Sequence, residues 1–457
     1  IAAPSTTTLN GQLAIRTAIV NHRTEWRHLE ELVDKAHEIG EQVHTHYAHL
    51  LGATDWQLMQ GGDARLMVDP TTGLNRYGCS PAPREEAFTF ASSTATSVSR
   101  FAYEAADQYR NQLIHELIQA DSLEPLDRHM RHMEHRIAQL LELGELAPDI
   151  HLSPSGTDSQ LHAVAAITTV VGDSEWVSVV CGANETGSGT PYSVTGCHFD
   201  TTTCLGVSVS QGQRLEGMPP VGYRAIDFRK ESGHLKTPDE MDRDIETRIQ
   251  QEMDAGRNVI LHAMDHSKLG CWAPSPSCLQ RLRTRWKERI QVVVDACQLR
   301  IDPVDLREHL QRGDIVLVTG SKFFTGPPFS GATIYPGGFR DRMLQKRNPL
   351  PRGLADYIPH VELGDWAPLM KEARRAAGIG MMLRWHAALA EMARYFRVPD
   401  EARAAGLECF SDAVMALLDQ HERLEPLFDR HSLWWARTDL NGPELSCRRS
   451  IFPFLIR

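Results

Sequence analysis

Lysine is scarce in this chain: of 48 basic residues only eight are lysines. Against that background Lys322 stands out, because it follows directly on the strand-forming run of "VLVTGSKFFTGPP" (316–328). An ammonium group is costly beside a buried strand. Either it sits by chance at a surface turn, or it is needed for its amine. Other absences narrow the field. No apolar run reaches the roughly 20 residues that span a bilayer. The formal charge of −11 argues against nucleic acid or an anionic membrane as the main partner, since both reward a basic surface. The nine cysteines are scattered, odd in number and free of any C-x-x-C pair. That fits neither a disulfide frame nor a zinc ribbon and points to a reducing, cytoplasmic compartment. Walker A, G-x-S-x-G and G-x-G-x-x-G patterns are missing, so no ready nucleotide or hydrolase motif is present. The opening "IAAPSTTTLNGQ" has no secretory leader and no initiator Met, and more chain is expected upstream.

What is there is an ordinary globular composition, long enough at 457 residues for two or three domains. Residues 10–52 repeat apolar side chains at helical steps (Leu29, Leu32, Val33, Ala36, Ile39), and 97–145 read as helix broken near Pro125. From 150 on, short apolar runs alternate with helical stretches: "IHLSPSG", "EWVSVVCGAN", "LGVSVSQ", "NVILHAMD", "IQVVVDACQ" and "DIVLVTGSK", with helices at 238–255 and 277–289. Strands apolar on both faces imply an α/β fold, a mainly parallel sheet with helices on both sides. A helix is expected over 366–397, and the tail "CRRSIFPFLIR" reads as a strand, with more chain expected beyond Arg457. The expected domains are 1–80, a helical segment with a substrate-facing loop; 81–345, the large α/β domain; and 346–457, a linker helix and smaller α+β domain.

In open parallel sheets, ligands gather at the carboxyl ends of the strands. Three such ends carry suggestive residues. "SPSGTDSQ" (153–160) puts Ser155, Gly156 and Thr157 at a helix start, which is a phosphate cradle or simply an N-cap. Asp295 ends a strand, as a turn residue or as the partner of a cationic ring nitrogen. Lys322 ends another. A phosphate cradle, an acid for a pyridinium and a lysine for an imine are the equipment for pyridoxal 5'-phosphate (PLP).

The order S-G-T, D-A-x-Q, T-G-S-K resembles fold-type I PLP enzymes, most closely the class V aminotransferase and cysteine desulfurase branch, over roughly residues 70–345. The resemblance implies a PLP transferase-like fold, a homodimer with sites at the subunit interface and an amino-acid substrate, with or without a second co-substrate. By it, Lys322 would carry the cofactor and shuttle protons, and Asp295 would keep the pyridine nitrogen protonated. Gln298 would bond the ring's phenolic oxygen. Ser155, Gly156 and Thr157, helped by Ser321 and Thr319, would hold the phosphate.

The departures from that pattern bear on the reaction. Where relatives lay a ring over the cofactor, this chain has "GANETGSGT" (182–190), with Glu185 as the cofactor-facing candidate. Where they place an asparagine, "HSKLG" offers Ser267 or Lys268. The substrate-carboxylate arginine of the closing strand falls on Phe452, so Arg448 or Arg449 would replace it. Cys447 is too close to that strand to match the desulfurase nucleophile, which disfavours sulfur transfer. The long stretch from Thr157 to Asp295 is consistent with an insertion covering a bulky substrate. Asn75, Arg76 and Tyr77 read equally as a packed loop or a substrate-facing one. The histidine clusters 44–49 and 129–135 read as solvated helix faces, so no metal is expected. The resulting expectation is side-chain elimination or replacement on an amino acid in specialised biosynthesis. The alternatives are a class V-type aminotransferase and, in another class, a non-catalytic scaffold subunit.

Overall fold

The computed structural model describes residues 5–10, 12–17, 22–87, 96–172, 174–346, 348–359, 363–370, 373, 379–428 and 450–457. They belong to two compact units, Ile1–Ala53 and Thr54–Arg457. In the first, strands β1 (Ser5–Leu9) and β2 (Gln12–Arg16) pair antiparallel, and helix α1 (Trp26–Tyr47) follows. The helix expected from residue 10 therefore starts only at Trp26. The threonine run of β1 favours extended chain, and Asn10-Gly11 is a strong hairpin signal between two such segments.

The second unit opens with α2 (Thr54–Leu58), α3 (Arg100–Ala120) and α4 (Glu124–Leu140). Pro125 lies in the first turn of α4, where proline is tolerated, while the break lies at Asp121 with its positive φ of 46°. Then strands and helices alternate. They are β3 (Asp149–Ser153), α5 (Gly156–Val171), β4 (Trp176–Cys181), α6 (Thr190–Ser193), β5 (Val221–Ile226), α7 (Pro238–Asp254), β6 (Asn258–Met264), α8 (Pro276–Trp286), β7 (Ile290–Ala296), α9 (Pro303–Gln311), β8 (Ile315–Thr319), β9 (Gly331–Tyr335) and α10 (Phe339–Lys346). The chain continues with α11 (Gly380–Phe396) and α12 (Asp400–Gln420), and β10 (Leu424–Pro426) pairs antiparallel with β11 (Phe454–Ile456).

The seven strands from β3 to β9 form one sheet in the order β3-β9-β8-β7-β6-β4-β5. Only β9 runs against the others. Every residue of β4 and β8 is buried, as befits strands covered on both faces. The run "LGVSVSQ" alternates like a strand but makes only the isolated bridge Thr202–Ser208, and "VGYRAI" forms the edge strand β5 instead. The helix expected from 366 begins at Gly380. Among the described residues, no helix is long and apolar enough to cross a membrane.

Chain order reverses at β4: the path leaves it outward to β5, then returns to β6 on its other side. The carboxyl ends beside such a switch point are where an open α/β sheet offers a crevice.

Candidate active site

Two close approaches shape this end of the sheet. Strand β9 lies between β3 and β8, so the turn leaving β3 must cross it to reach the middle of the sheet. Gly331 in β9 makes the crossing possible, because a Cβ there would stand 2.6 Å from the carbonyl carbon and oxygen of Ser155. Helix α5 then starts directly over the ends of β7 and β8. A Cβ on Gly156 would stand 2.6 Å from the sulfur of Cys297. At Gly331 a larger residue would have to move the backbone, and at Gly156 it would have to move the helix start or the Cys297 side chain.

The result is a cavity of about 250 Å³ into which the three sequence motifs all open. Ser155, Gly156 and Thr157 come from the start of α5, Asp295 and Cys297 from the end of β7, and Thr319, Ser321 and Lys322 from the end of β8. A larger cavity of about 1020 Å³ lies at the opposite end of the sheet, beside Trp176 and Gly222, away from all of these.

The N-cap reading of Ser155 holds, since its Oγ accepts the Asp158 N–H at 3.3 Å and donates to the Asp158 carboxylate. That does not use up the helix start. The N–H groups of Gly156 and Thr157 have no acceptor among the described residues. With the Thr157 and Ser321 hydroxyls they form a set of open donors at the positive end of a helix. Asp295 Oδ1 accepts the Cys297 N–H at 3.1 Å, and Thr319 Oγ1 donates to the Cys297 carbonyl at 2.6 Å. The first bond turns the chain at the end of β7, and the second ties that end to β8. Lys322 is half-buried in a loop closed by Gly326 N–H to the Gly320 carbonyl, 3.0 Å. Its ammonium has no hydrogen-bond or ion-pair partner among the described residues.

Several predicted residues lie elsewhere. Gln298 is buried and its Oε1 accepts from Arg300 Nη1 at 2.7 Å, so it does not line the cavity. Ser267 donates to the Glu185 carboxylate at 2.5 Å, and Arg229 stands 3.4 Å from that same carboxylate. Burial pushes the Glu185 pKa up against the pull of those partners. Neither Ser267 nor Glu185 reaches the cavity, whereas Lys268 does, together with Ser188 and Thr190 from the segment after β4. Asn75 accepts the N–H groups of Tyr77 and Cys79 at 2.9 and 3.1 Å, an Asx turn that brings Arg76 and Tyr77 to the lining. Arg448 and Arg449 lie outside the described residues. Ser450, next along, accepts from Arg300 Nε at 2.6 Å.

Arg65 is a lining residue that motif reading missed. Its Nε and Nη2 grip Asp63 at 2.9 and 2.6 Å, its Nη2 reaches Ser155 Oγ at 3.4 Å, and its guanidinium lies 4.9 Å from the Phe329 ring. Burial pulls its pKa down, but the bonds and charge of Asp63 outweigh that and raise it. Burial and the Asp63 charge push the Asp158 carboxyl up to about 6, against Ser155 and Arg65. The segment just before Asp63 is anchored by buried Arg384 of α11. Its guanidinium donates to the carbonyls of Leu58 (2.9 Å), Gln60 (2.5 Å), Gly61 (3.0 Å) and Phe329 (2.7 Å). Nothing in "GGDARL" says that Arg65 reaches the cavity, because Ser155, Phe199 and Phe329, which meet it there, are distant in sequence.

No family model matches the sequence, and no curated protein matches it. Among solved structures the chain is similar to ureidoglycine–glyoxylate aminotransferase from Bacillus subtilis, at 11% identity over 76% of each chain with a TM-score of 0.44. It is similar to the cysteine desulfurase CsdA from Escherichia coli at 15% identity, over 75% of this chain and 76% of that one, with a TM-score of 0.44. A third is Catharanthus roseus tryptophan decarboxylase in complex with L-tryptophan, at 12% identity over 90% and 84%, with a TM-score of 0.47. These are likenesses in the layout of sheet and helices, and the chemistry of the cavity rests on its own side chains.

Proposed function

We propose that this chain is a PLP-dependent enzyme acting on an amino-acid substrate. One observation carries the reading: an amine without a partner among the described residues (Lys322), a carboxylate (Asp295) and the open donors of α5 line a single cavity. The residues fit the cofactor chemically. The N–H groups of Gly156 and Thr157, with the hydroxyls of Thr157 and Ser321, suit a phosphate. Asp295 suits a protonated ring nitrogen, and Lys322 suits a carbonyl carbon. When bound, PLP supplies an electron sink for the substrate's α-carbon.

In this reading Lys322 Nζ moves the proton at the α-carbon, and Asp295 holds the ring-nitrogen proton in place. Within the class we place the reaction in elimination or replacement at the substrate's side chain. What supports this is the segment after β4, which brings the hydroxyl residues Ser188 and Thr190 to the cavity and no ring. A homodimeric state belongs to the same proposal, and sedimentation of the full chain tests it.

The deciding experiment compares visible absorbance of wild-type protein and Lys322→Ala after incubation with PLP, then with pooled amino acids. A cofactor band that depends on Lys322 and shifts with some amino acids is expected. Wild-type protein that takes up no PLP, or Lys322→Ala with wild-type turnover, ends the proposal.

A further inference from the structure

A guanidinium carries its N–H groups in one rigid plane, and in Arg65 that plane is fixed. The edge made by Nε and Nη2 is spent on Asp63 at 2.9 and 2.6 Å. The ring centres of Phe329 and Phe199 lie 4.9 and 5.7 Å from the central carbon. Behind this pair, Arg384 anchors the carbonyls of Leu58, Gln60 and Gly61 in the segment that leads to Asp63. The other edge, Nη1 with the outer hydrogen of Nη2, turns to the start of α5. There Nη2 reaches Ser155 Oγ at 3.4 Å, and Nη1 has no acceptor among the described residues. Only 17% of the side chain is exposed, and it lines the cavity. Unspent N–H groups on a mostly buried cation carry a desolvation cost that an anion in the cavity removes.

Ser155 is already occupied. Its one hydroxyl proton goes to the Asp158 carboxylate, and its oxygen accepts from the Asp158 N–H and from Arg65. The serine that motif reading assigns to a phosphate is therefore committed to capping the helix. The N–H groups of Gly156 and Thr157 stay open at the same end of the cavity, but they are neutral. We propose that Arg65 takes the place of Ser155 in the cradle and gives the cofactor's phosphate its charged contact through the unspent N–H groups. The inference rests on the PLP reading. It makes the segment before α3 part of the cofactor site and gives Asp63 the task of holding the guanidinium plane from behind.

The test titrates PLP, and pyridoxal, which lacks the phosphate, into the full chain freed of cofactor, followed by visible absorbance. Arg65→Gln would leave the Asp63 carboxylate buried without its partner, so the principal variant is Asp63→Asn with Arg65→Gln, which removes both charges. It is expected to lose about tenfold or more in PLP affinity, the scale of a charge-assisted hydrogen bond, with pyridoxal affinity unmoved. Arg65→Lys keeps the ion pair with Asp63 but not the planar fork, and should lose PLP affinity severalfold, again without moving pyridoxal. If PLP and pyridoxal weaken equally in the folded variants, or PLP binds them as tightly as wild type, the role of Arg65 falls and the PLP reading stands. If wild-type protein takes up no PLP, both fall together.

Discussion

Replacing Gly156 with alanine tests how closely α5 must sit on the sheet. The new Cβ would lie 2.6 Å from the Cys297 sulfur and 3.4 Å from the Thr319 methyl carbon. Carbon atoms in good contact stand about 3.5–4.0 Å apart, so the sulfur or the helix start must retreat by roughly 1 Å. Overpacking of this kind costs about 1–3 kcal/mol. Alanine's better helix propensity returns at most about 1 kcal/mol. A net loss of about 1–2 kcal/mol is therefore expected in urea unfolding. The second effect falls on the site. A shift of about 1 Å takes the N–H groups of residues 156 and 157 out of hydrogen-bond range of a bound phosphate, so PLP affinity should drop tenfold or more. The control is Cys297→Ala, which removes the clashing sulfur. In the double variant the two changes should partly cancel, with a coupling of about 1 kcal/mol or more in a double-mutant cycle. Equal stability and PLP uptake in Gly156→Ala, or a double variant no better than the single one, would refute the argument.

Two further outcomes are expected. Arg384→Met strips the donors from four carbonyls in and around a buried site, and at about 1–3 kcal/mol for each orphaned group the loss should exceed about 3 kcal/mol. Hydrogen exchange should rise first at residues 57–66, and an unchanged urea midpoint would count against the anchoring role. The second concerns pH. Burial lowers the pKa of His151 from 6.5 to about 4, so the folded protein keeps it neutral where the unfolded chain takes up a proton. Its contribution is thus full above pH 6.5 and lost as pH falls toward 4, by roughly 2 kcal/mol at pH 5. His151→Phe should flatten the pH dependence of urea unfolding between pH 7 and 5, and an unaltered slope would contradict it.

Lys322, Asp295 and the Ser155–Thr157 turn were legible because each sits where a buried strand ends, and strand ends are visible as apolar runs meeting turn residues. Parallel topology brings Asp295 and Lys322 together, and the Ser155–Thr157 turn joins them by crossing β9 at Gly331. Side-chain direction was not legible. Gln298 and Ser267 stand within three residues of lining positions, yet Arg300 and Glu185 draw them away. Arg65 was out of reach for a different reason: Asp63 holds it locally, but Ser155, Phe199 and Phe329 meet it from across the chain. Strand β5 was mistaken for "LGVSVSQ" because alternation alone does not say which run finds a neighbour. "VGYRAI" pairs with β4, Val221 opposite Trp176 through Ile226 opposite Cys181, and "LGVSVSQ" has no such edge to join.

The wedged position of β9 also governs when the site can come into being. Strand β3 has one neighbour in the sheet, and that neighbour is β9. During synthesis Asp149–Ser153 leaves the ribosome long before Gly331–Tyr335, with β4 to β8 emerging in between. At about 5–20 residues per second that wait is on the order of ten seconds or more. Throughout it the five parallel strands can assemble among themselves, while β3 remains an unpaired edge, the kind of segment that invites wrong partners. Strand β9 separates β3 from β8, and the start of α5 crosses it to reach Cys297 and Thr319. A nascent chain stopped before Gly331 is therefore expected to carry the lysine with a less firmly held anion cradle.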